Sequence, residues 1–476
     1  MPLIASVSGI RGVFGDGLDP AVLTRYAAAF GAWVRQRQTE RGGAEGDPAD
    51  RDPAGRPRVV VGRDGRITGD VCARIVTATL QAAGCDVVDV GLATTPSVAM
   101  GVLKHEADGA IILSASHNPA EWNALKLLDR TSEFLGPDEG AEVLALAEEG
   151  VAAHTVGAYE IGTYETDDVL AYHVQKILDL PYVDPEAIAA RGFKVVVDGI
   201  NSVGAFALPA LLEALGVTDV EVLNADVTGR FAHNPEPLPA HIGGVLDRVR
   251  ESGADLGVIV DPDADRLAFV QDGGVFFGEE LTQVVAADFL LAKRGGAQTA
   301  GAVATNLSSS RAIEDVAARH GAAVHRSPVG EIHVVRAMQA HDAVIGGEGN
   351  GGVILPDLHY GRDALAGVAL VLQHLAETGQ SLSDVRAGLP DYAIAKHKVQ
   401  LTDDMDAGAL LAALAARYAG GRVSTVDGVK VDLDEGWAHV RASNTEPILR
   451  VYTEAASPEA ADALAERFKA EVLGQA

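Results

Sequence analysis

The segment "RVVVGRDGRITGDVCARIVTATLQAAGCDVVDVG", residues 58–91, decides the class of fold. It begins with a β-branched strand, turns through a Gly-rich stretch into a helix rich in Ala and other apolar residues, and ends in a second strand. A strand, a crossover helix and a strand of this length are typical of a βαβ unit, in which the two strands are parallel. The segment therefore predicts an α/β domain.

The same order of strand, Gly-rich turn, helix and strand returns twice along the chain. It covers residues 193–224, beginning "FKVVVDGINSVG", and residues 302–330, beginning "AVATNLSSSRAIEDV". The three units start at residues 58, 193 and 302 and are thus more than 100 residues apart. This spacing favours three tandem α/β domains with mixed, mostly parallel sheets.

The C-terminal segment has a different pattern. From about residue 390 the stretches "AIAKHKVQL", "GRVSTVDGVKVDL" and "WAHVRAS" alternate as strands do, and "SPEAADALAERFKAEVL" closes the chain as a helix. This order predicts an α+β domain with an antiparallel sheet. We place the four domains at residues 1–160, 161–274, 275–387 and 388–476.

Composition limits the class of partner. The chain has 38 Lys and Arg against 67 Asp and Glu, and its formal charge of −29 would repel nucleic acid and anionic membranes. It has no apolar run of the roughly 18 residues that a membrane span needs, and its start "MPLIASVSGIRG" has no secretory pattern. We expect a cytoplasmic protein with no nucleic-acid or membrane partner, in which an anionic substrate needs a local basic pocket.

Two further features bear on structure rather than chemistry. Cys72 and Cys85 are the only cysteines, so neither a disulfide framework nor a Cys-based metal site is supported. Residues 35–57 are rich in Gly, Pro and charge and have no periodicity, which predicts a mobile surface loop between a helix and a strand.

The strongest chemical signal is "VIVDPDADRLAFV", residues 258–270, in which Asp261, Asp263 and Asp265 alternate at the end of an apolar strand. Three carboxylates can converge on one hard cation, and an all-oxygen ligand set favours Mg²⁺. The alternative is a solvated acidic turn, but carboxylates this close repel one another unless a cation is present. A calcium EF-hand is disfavoured because Arg266 stands where that loop requires glycine.

Ser116 is the second candidate, in "IILSASHNPAEWNALKL", residues 111–127. An apolar strand breaks into Ser116 and His117, so the hydroxyl is presented at the edge of a sheet. The stretch lacks the G-x-S-x-G elbow of triad hydrolases. A serine that carries a phosphoryl group next to Mg²⁺ is one interpretation, and an ordinary turn is the other.

Basic residues in Gly- and Ser-rich loops are candidates for binding phosphate. Arg11 lies in "SGIRG", Arg63 and Arg66 lie in "GRDGRITG", and Lys126 follows the Ser116 stretch. Each arginine alone is more typical of a surface ion pair. The segment "RASNTEPILRVYTEA" is more specific, because it gathers hydroxyls, an amide, backbone donors and two cations around one loop, from Arg441, Ser443, Asn444, Thr445 and Arg450.

The last candidate is Glu348, which lies among five glycines in "IGGEGNGG", residues 345–352. Glycines let the backbone approach a ligand closely, and a carboxylate presented there suits the paired hydroxyls of a sugar. A tight turn capped by Glu348 is an equally good interpretation of this stretch alone.

Taken in this order, the five loops resemble those of the α-D-phosphohexomutase superfamily. The resemblance runs from "SGIRG" through "SASHNP", "DPDADR" and "GGEGNGG" to "RASNTEP", and so covers nearly the whole chain. It implies three related α/β domains and an antiparallel C-terminal domain around a central cleft. It also implies transfer of phosphate between the 6 and 1 positions of a hexose through a 1,6-bisphosphate.

The resemblance assigns roles to individual residues. Ser116 looks like the phosphoserine and, with Asp261, Asp263 and Asp265, like a ligand of one Mg²⁺ per active site. Arg11 and Lys126 look like basic residues near the transferred phosphate, and Lys126, Arg11 or His117 could be the base that deprotonates the accepting hydroxyl. The residues that look like substrate contacts are Arg266, Glu348, Asn350, Arg441, Ser443, Asn444, Thr445 and Arg450.

Departures from the family pattern point to a substrate. Gly352 stands where many members have histidine, and Ala124 where many have glycine. These variants look most like part of the phosphoglucosamine mutase branch, and Asn350 could recognise the 2-amino group. A mutase of broad glucose and mannose phosphate specificity is the alternative; a noncatalytic sugar-phosphate-binding relative and a phosphatase are less favoured. We expect a phosphosugar substrate, a hexose 1,6-bisphosphate activator, and a monomer or homodimer.

Overall fold

The structure is a computed structural model that describes residues 3–6, 9–44, 55–294, 301–402, 405–443 and 447–474. The chain forms two compact units. One unit comprises Met1–Glu279 and Gly352–Ser383, and the other comprises Glu280–Gly351 and Asp384–Ala476. Among the described helices, none combines the length and the apolar character that a membrane crossing requires.

The first α/β region is built on an eight-stranded mixed sheet. Its strand order is β1-β2-β7-β6-β4-β5-β8, with β3 beside β2, and the strands β4, β5, β6 and β8 are parallel. The elements are β1 Ile4–Ser6, β2 Gly9–Phe14, β3 Gly17–Leu18, α1 Pro20–Ala44, β4 Arg58–Arg63, α2 Gly69–Ala82, β5 Asp86–Leu92, α3 Thr95–Lys104, β6 Gly109–Leu113, β7 Trp122–Asp129, α4 Pro137–Glu149, α5 Val151–His154 and β8 Tyr164–Thr166.

Helices cover both faces of this sheet, which explains the continuous apolar runs of its strands. On β4, Val59 and Val61 join the core that contains Phe30 of α1, whereas Val60 joins the core that contains Val98 of α3. The strand β6 is buried along its whole length. Because side chains alternate between the two cores, the register of these strands is fixed by packing.

The second α/β region has a five-stranded sheet in the order β10-β9-β11-β12-β13. The strands β9, β10 and β11 are parallel, and β12 returns antiparallel to β11. The elements are α6 Leu170–Leu178, α7 Pro185–Arg191, β9 Lys194–Asp198, α8 Gly204–Ala214, β10 Asp219–Leu223, α9 Gly243–Ser252, β11 Leu256–Val260, β12 Leu267–Gln271 and β13 Val275–Phe276.

The third α/β region contains the strands β14, β15 and β16, which pair in parallel with β14 in the middle. The elements of this stretch are α10 Glu279–Arg294, β14 Ala302–Asn306, α11 Ala312–Arg319, β15 Ala323–Ser327, α12 Glu331–Ala340, β16 Ala343–Glu348, β17 Gly352–Ile354, α13 Ala364–Thr378 and α14 Leu382–Gly388.

The C-terminal region is an antiparallel sheet in the order β18-β22-β21-β20-β19. One face packs on helices through a core that includes Val440, Val451 and Phe468. The elements are β18 Ala393–Gln400, α15 Ala407–Arg417, β19 Arg422–Ser424, β20 Val429–Asp432, β21 Gly436–Ala442, β22 Ile448–Ala455 and α16 Pro458–Val472. The predicted fold class, three α/β regions followed by an antiparallel α+β region, is confirmed.

The predicted loop over residues 35–57 is wrong at its N-terminal end. Helix α1 continues to Ala44, so residues 35–44 are helical. Arg, Gln and Glu are good helix formers, and Arg37 forms ion pairs with Glu40 at 3.2 Å and with Glu142 of α4 at 2.5 Å. The composition of residues 35–57 suggested a loop, because composition does not show the ion pairs that stabilise a helix. Residues 45–54 lie outside the described residues.

Candidate active site

Ser116 lies just beyond the end of β6 in an uncommon backbone conformation. Its φ is +48°, in the left-handed region that few residues other than glycine adopt. The residue is buried, with 4% of its surface exposed. Its Oγ donates a hydrogen bond to Oδ2 of Asp261 at 2.6 Å and lies 3.3 Å from Nδ1 of His117. The hydroxyl therefore points directly at the carboxylates that follow β11.

The turn between β11 and β12 brings three carboxylates together. Asp261, Asp263 and Asp265 are all fully buried, and each offers a carboxylate oxygen within 4.8 Å of the other two. The turn is tight because Ala264 has a φ of +53°. Oδ1 of Asp261 also accepts hydrogen bonds from the backbone N–H groups of Asp265 and Arg266, at 3.2 and 3.1 Å.

Two cations offset this concentration of negative charge. Lys126 of β7 places its Nζ 2.6 Å from Asp263 Oδ2 and 3.5 Å from Asp265 Oδ2. Arg362 places its Nη2 2.7 Å from the same Asp265 oxygen. Both cations are almost completely buried, so the attraction is little screened by water.

The segment that carries Arg362 is anchored by a second buried cluster. The carboxylate of Asp363 caps helix α13 through Oδ1, which accepts from the backbone N–H groups of Leu365 and Ala366. Its Oδ2 is hydrogen-bonded to Nε2 of His173 at 2.8 Å and to Nε2 of His359 at 3.2 Å. This arrangement fixes the backbone that presents Arg362 to the aspartates.

The aspartate cluster has the properties of a site for a hard cation. Burial and the neighbouring carboxylates Asp265 and Asp263 raise the pKa of Asp261 well above its ordinary value. Burial acts in the same sense on Asp265, but Arg362, Lys126 and Arg266 outweigh it and lower the pKa of that group. Oδ1 of Asp263 and Oδ1 of Asp265 have no hydrogen-bond partner among the described residues. The donor set is all oxygen, which suits Mg²⁺.

Three more predicted site residues, Arg11, Arg266 and His117, each have different neighbours. Arg11 Nη1 donates to Oδ1 of Asn118 at 3.0 Å, in the loop that carries Ser116. Arg266 Nη1 lies 3.8 Å from Glu236. Burial and the cations Arg266 and Arg11 lower the pKa of His117 to about 2, so its imidazole is neutral at physiological pH.

Glu348 is buried at the end of β16 and is held by its own unit. Its Oε1 accepts hydrogen bonds from Asn306 Nδ2 at 2.8 Å and from the backbone N–H of Gly330 at 3.2 Å. Asn350 Nδ2 donates to Oε2 at 3.3 Å. The backbone N–H of the next residue, Gly349, donates to Ser309 Oγ at 3.0 Å. The orientation of the carboxylate is thereby fixed before any ligand binds.

The basic residues predicted to lie around one loop are on two neighbouring strands. Arg441 belongs to β21 and Arg450 to β22, and the two are directly opposite partners in the antiparallel ladder. The strand β22, in which Ile448–Ala455 pairs along its whole length with β18, was not predicted from the sequence. Like charges on opposite positions repel each other, which favours an anion between them. Ser443 follows β21; Asn444 and Thr445 lie outside the described residues.

Sequence reasoning missed several residues that contact the candidate groups. Arg362 lies 97 positions from Asp265, and Asn306 lies 42 positions from Glu348. Thr95, at the start of α3, donates from Oγ1 to Asp263 Oδ2 at 2.5 Å and from its backbone N–H to the Asp263 carbonyl at 2.8 Å. Arg362 is recognisable in the sequence as a cation between a turn and a helix, but no local pattern indicates that it pairs with Asp265.

Known proteins resemble this chain over almost its whole length. Phosphoglucomutase/phosphomannomutase alpha/beta/alpha domains I, II and III match residues 3–154, 171–274 and 278–392, and the C-terminal domain of the same family matches residues 397–471. A phosphoglucomutase/phosphomannomutase of Thermococcus kodakarensis is 37% identical, over 95% of this chain and 94% of its own. A probable phosphoglucosamine mutase of Methanopyrus kandleri is 34% identical, over 97% and 96% respectively.

A solved structure shows the same likeness in three dimensions. The crystal structure of a phosphoglucomutase/phosphomannomutase family protein from Burkholderia thailandensis superposes with a TM-score of 0.83 at 27% identity. The match covers 99% of this chain and 97% of the Burkholderia chain.

Gly65 offers a test of how the turn after β4 and the turn that carries the aspartates are joined. Its backbone N–H donates to Ser202 Oγ at 2.9 Å, and that hydroxyl donates to the Pro262 carbonyl at 2.5 Å. A Cβ on Gly65 would lie 2.8 Å from the Ser202 Cα, closer than real Cβ atoms come. We predict that Gly65→Ala lowers the free energy of unfolding by about 1–3 kcal/mol, measured by urea denaturation.

Gly244→Ala is the matched control, because Gly244 lies in helix α9 and a Cβ there has no atom within 4 Å. It should leave stability unchanged or raise it slightly, since alanine is the better helix former. Equal urea midpoints for Gly65→Ala and the unaltered protein would contradict the close packing at Ser202.

Proposed function

The chain belongs to the phosphoglucomutase/phosphomannomutase family and is a phosphohexomutase; from that premise we propose that it interconverts glucosamine 6-phosphate and glucosamine 1-phosphate. The reaction would pass through a phosphoserine at Ser116 and a 1,6-bisphosphate intermediate. The observation that carries the proposal is the 2.6 Å hydrogen bond from Ser116 Oγ to Asp261, within a cluster of three buried carboxylates.

A phosphoryl group on Ser116 explains why a hydroxyl is placed against carboxylates. Transfer to substrate forms a bond between phosphorus and a hexose hydroxyl oxygen and breaks the bond between phosphorus and Ser116 Oγ. The return transfer reverses both changes after the bisphosphate has reoriented. The hexose 1,6-bisphosphate is thus an intermediate and, when added, the activator that first phosphorylates Ser116.

We assign Asp261, Asp263 and Asp265 as the residues that would hold Mg²⁺, together with an oxygen of the phosphorylated Ser116. Two carboxylate oxygens without a hydrogen-bond partner among the described residues support this assignment. Bound Mg²⁺ would neutralise charge on the transferred phosphoryl group. Lys126, held by Asp263 and Asp265, would orient the phosphoryl group and offset part of its charge.

The proton of the attacking hydroxyl needs an acceptor. Lys126 is an unfavourable base: although burial opposes it, Asp263 and Asp265 raise the pKa of the ammonium and keep it charged. Arg11 carries a guanidinium, which does not deprotonate in proteins. His117 lies 3.3 Å from Ser116 Oγ, and the negative charge of a phosphoryl group on Ser116 would raise the low pKa of its imidazole toward the range of a useful base. We therefore propose His117 as the proton acceptor and Arg11 as a phosphate ligand.

The remaining candidate residues are assigned to the parts of the substrate that do not react. We propose that Glu348 accepts hydrogen bonds from the sugar, and that with Asn350 it selects a 2-amino group, because an ammonium donates to a carboxylate more strongly than a hydroxyl does. We assign Arg441, Arg450, Ser443, Asn444 and Thr445 to the phosphate that is not transferred, and Arg266 to the substrate. The cross-strand position of Arg441 and Arg450 supports this assignment.

A second candidate is a mutase that prefers glucose or mannose phosphate. It is favoured by the relative from Thermococcus kodakarensis, which is called a phosphoglucomutase/phosphomannomutase and is 37% identical, against 34% for the probable phosphoglucosamine mutase of Methanopyrus kandleri. The chemistry at Ser116 would be the same, so only the sugar preference separates the two candidates.

Mg²⁺ should stabilise the protein through the aspartate cluster. A ligand that binds only the folded state at about 100 times its dissociation constant adds about 2.7 kcal/mol, so saturating Mg²⁺ should raise the melting temperature. In Asp261→Asn this rise should disappear, although removal of one repelling charge should leave the metal-free protein at least as stable. Asp247→Asn, at an exposed ion pair with Arg250, is the control and should keep the full rise. A full rise in Asp261→Asn would exclude the assigned site.

Replacement of the nucleophile tests the phosphoserine mechanism. Ser116→Ala should lower the rate of hexose phosphate isomerisation by about 10⁴-fold or more, while the melting temperature stays close to that of the unaltered protein. Ser252→Ala, which removes a hydroxyl that donates to the Val249 carbonyl of its own helix, should keep full activity. Full isomerisation by Ser116→Ala would rule out the mechanism.

The sugar preference is tested by comparing kcat/KM for glucosamine 6-phosphate, glucose 1-phosphate and mannose 1-phosphate, each with the matching 1,6-bisphosphate. We predict the highest value for the amino sugar, and we predict that Glu348→Gln reduces this preference. A tenfold higher kcat/KM for mannose phosphate, about 1.4 kcal/mol in transition-state stabilisation, would assign the protein to the second candidate function.

A further inference from the structure

Arg66 lies in the turn between β4 and α2, and its side chain is completely buried. The sequence suggested either a guanidinium that reaches a bound phosphate or a surface ion pair, and both interpretations are wrong. The charge is instead paired with the carboxylate of Asp64, which is also completely buried, at 2.9 Å. Arg66 is thus unable to meet a substrate, and its partners must explain its presence.

All five N–H donors of the guanidinium are used, and four of them go to the loop that carries Ser116. Nη2 donates to the carbonyl oxygens of Ser116 and, at 2.8 Å, of Asn118. Nη1 donates to the carbonyl oxygens of Pro119 at 2.6 Å and of Trp122 at 3.0 Å. The fifth donor, Nε, completes the pair with Asp64.

The same ion pair also holds the backbone amide of Ser116, through Ser114. Asp64 Oδ2 accepts a hydrogen bond from Ser114 Oγ at 2.8 Å, and Ser114 Oγ in turn accepts from the backbone N–H of Ser116 at 2.9 Å. The carbonyl of Ser116 is held by Arg66 and its amide by Ser114. The two peptide groups that define the φ of +48° are therefore both fixed from one buried ion pair.

Physical chemistry explains why this position needs an arginine. A non-glycine residue in a sparsely populated backbone conformation costs of order 1–3 kcal/mol and persists only when its surroundings impose it. Buried carbonyls without partners would add a further cost. A lysine could keep the charge but offers only three donors from a single point, so it cannot satisfy four carbonyls that are spread along a loop.

We propose that Arg66, held by Asp64, is a positioning residue for catalysis: it keeps Ser116 in the left-handed conformation that directs its Oγ toward Asp261. This inference rests on the proposed function, because the position of the hydroxyl affects a rate only if Ser116 transfers a phosphoryl group. Arg66 does not contact substrate, so it should influence kcat and leave substrate binding almost unchanged.

The kinetic test uses Arg66→Lys in the full-length protein with its preferred hexose phosphate, Mg²⁺ and bisphosphate. A nucleophile displaced by about 1 Å loses about 100-fold in rate, so kcat should fall by that factor while KM stays within about threefold. Arg58→Lys is the matched control: Arg58 lies at the opposite end of β4 and donates to the His105 carbonyl at 2.9 Å. It should keep the unaltered kcat. An equal fall in both variants, or a rise in KM at unchanged kcat, would overturn the proposal.

A second measurement does not depend on activity. Amide hydrogen exchange in a peptide that covers residues 113–122 should become faster in Arg66→Lys and stay unchanged in Arg58→Lys. If the unaltered protein isomerises no hexose phosphate, the proposed function fails, but this exchange still reports whether Arg66 holds the loop. Unchanged exchange in Arg66→Lys would overturn the inference even if the mutase reaction is confirmed.

Ser114→Ala keeps the proposal falsifiable if Arg66→Lys does not fold. It removes only the hydroxyl that links Asp64 to the amide of Ser116. We expect about a tenfold lower kcat at unchanged KM, with faster exchange of the same peptide. Full activity together with unaltered exchange in Ser114→Ala would contradict the positioning role.

Discussion

Three buried carboxylates at the end of one strand are the constraint on which the rest of this site depends. Asp261, Asp263 and Asp265 repel one another in a medium that screens charge poorly. Lys126 and Arg362 offset part of this repulsion, and the Ser116 hydroxyl donates a hydrogen bond to Asp261. Elements distant in sequence therefore converge on the turn after β11, and a hydroxyl, a lysine and three carboxylates come to lie together.

Arginines supply hydrogen-bond donors to loop carbonyls in both units. A loop that leaves the carboxyl end of a buried strand carries carbonyl groups that water cannot reach, and each needs a donor. Arg66 supplies donors to the loop after β6. In the other unit Arg326 does the same for the loop after β14, donating to the carbonyls of Asn306 and Ser309, both at 2.8 Å. Asn306 in turn holds Glu348, so loop structure and candidate chemistry are again linked.

The features that the sequence could predict are those with a local cause. Runs such as Val59–Val61 indicate strands because both faces of the sheet are buried, and polar residues directly after such runs drew attention to Ser116 and Asp261. Arg362 and Arg66 could not be interpreted in this way, because Asp265 lies 97 residues from Arg362 and the Ser116 carbonyl lies 50 residues from Arg66. The helical residues 35–44 and the strand that carries Arg450 were missed because composition alone does not reveal pairing.

The most direct test of the account follows a labelled phosphoryl group. The protein is first phosphorylated with a ³²P-labelled hexose 1,6-bisphosphate, separated from it, and mixed with excess glucosamine 6-phosphate for a single turnover. Our account predicts that the label leaves Ser116 and appears first in glucosamine 1,6-bisphosphate and then in the hexose monophosphate. Release of the label as inorganic phosphate, or isomerisation while the label stays on the protein, would contradict a mutase that works through Ser116.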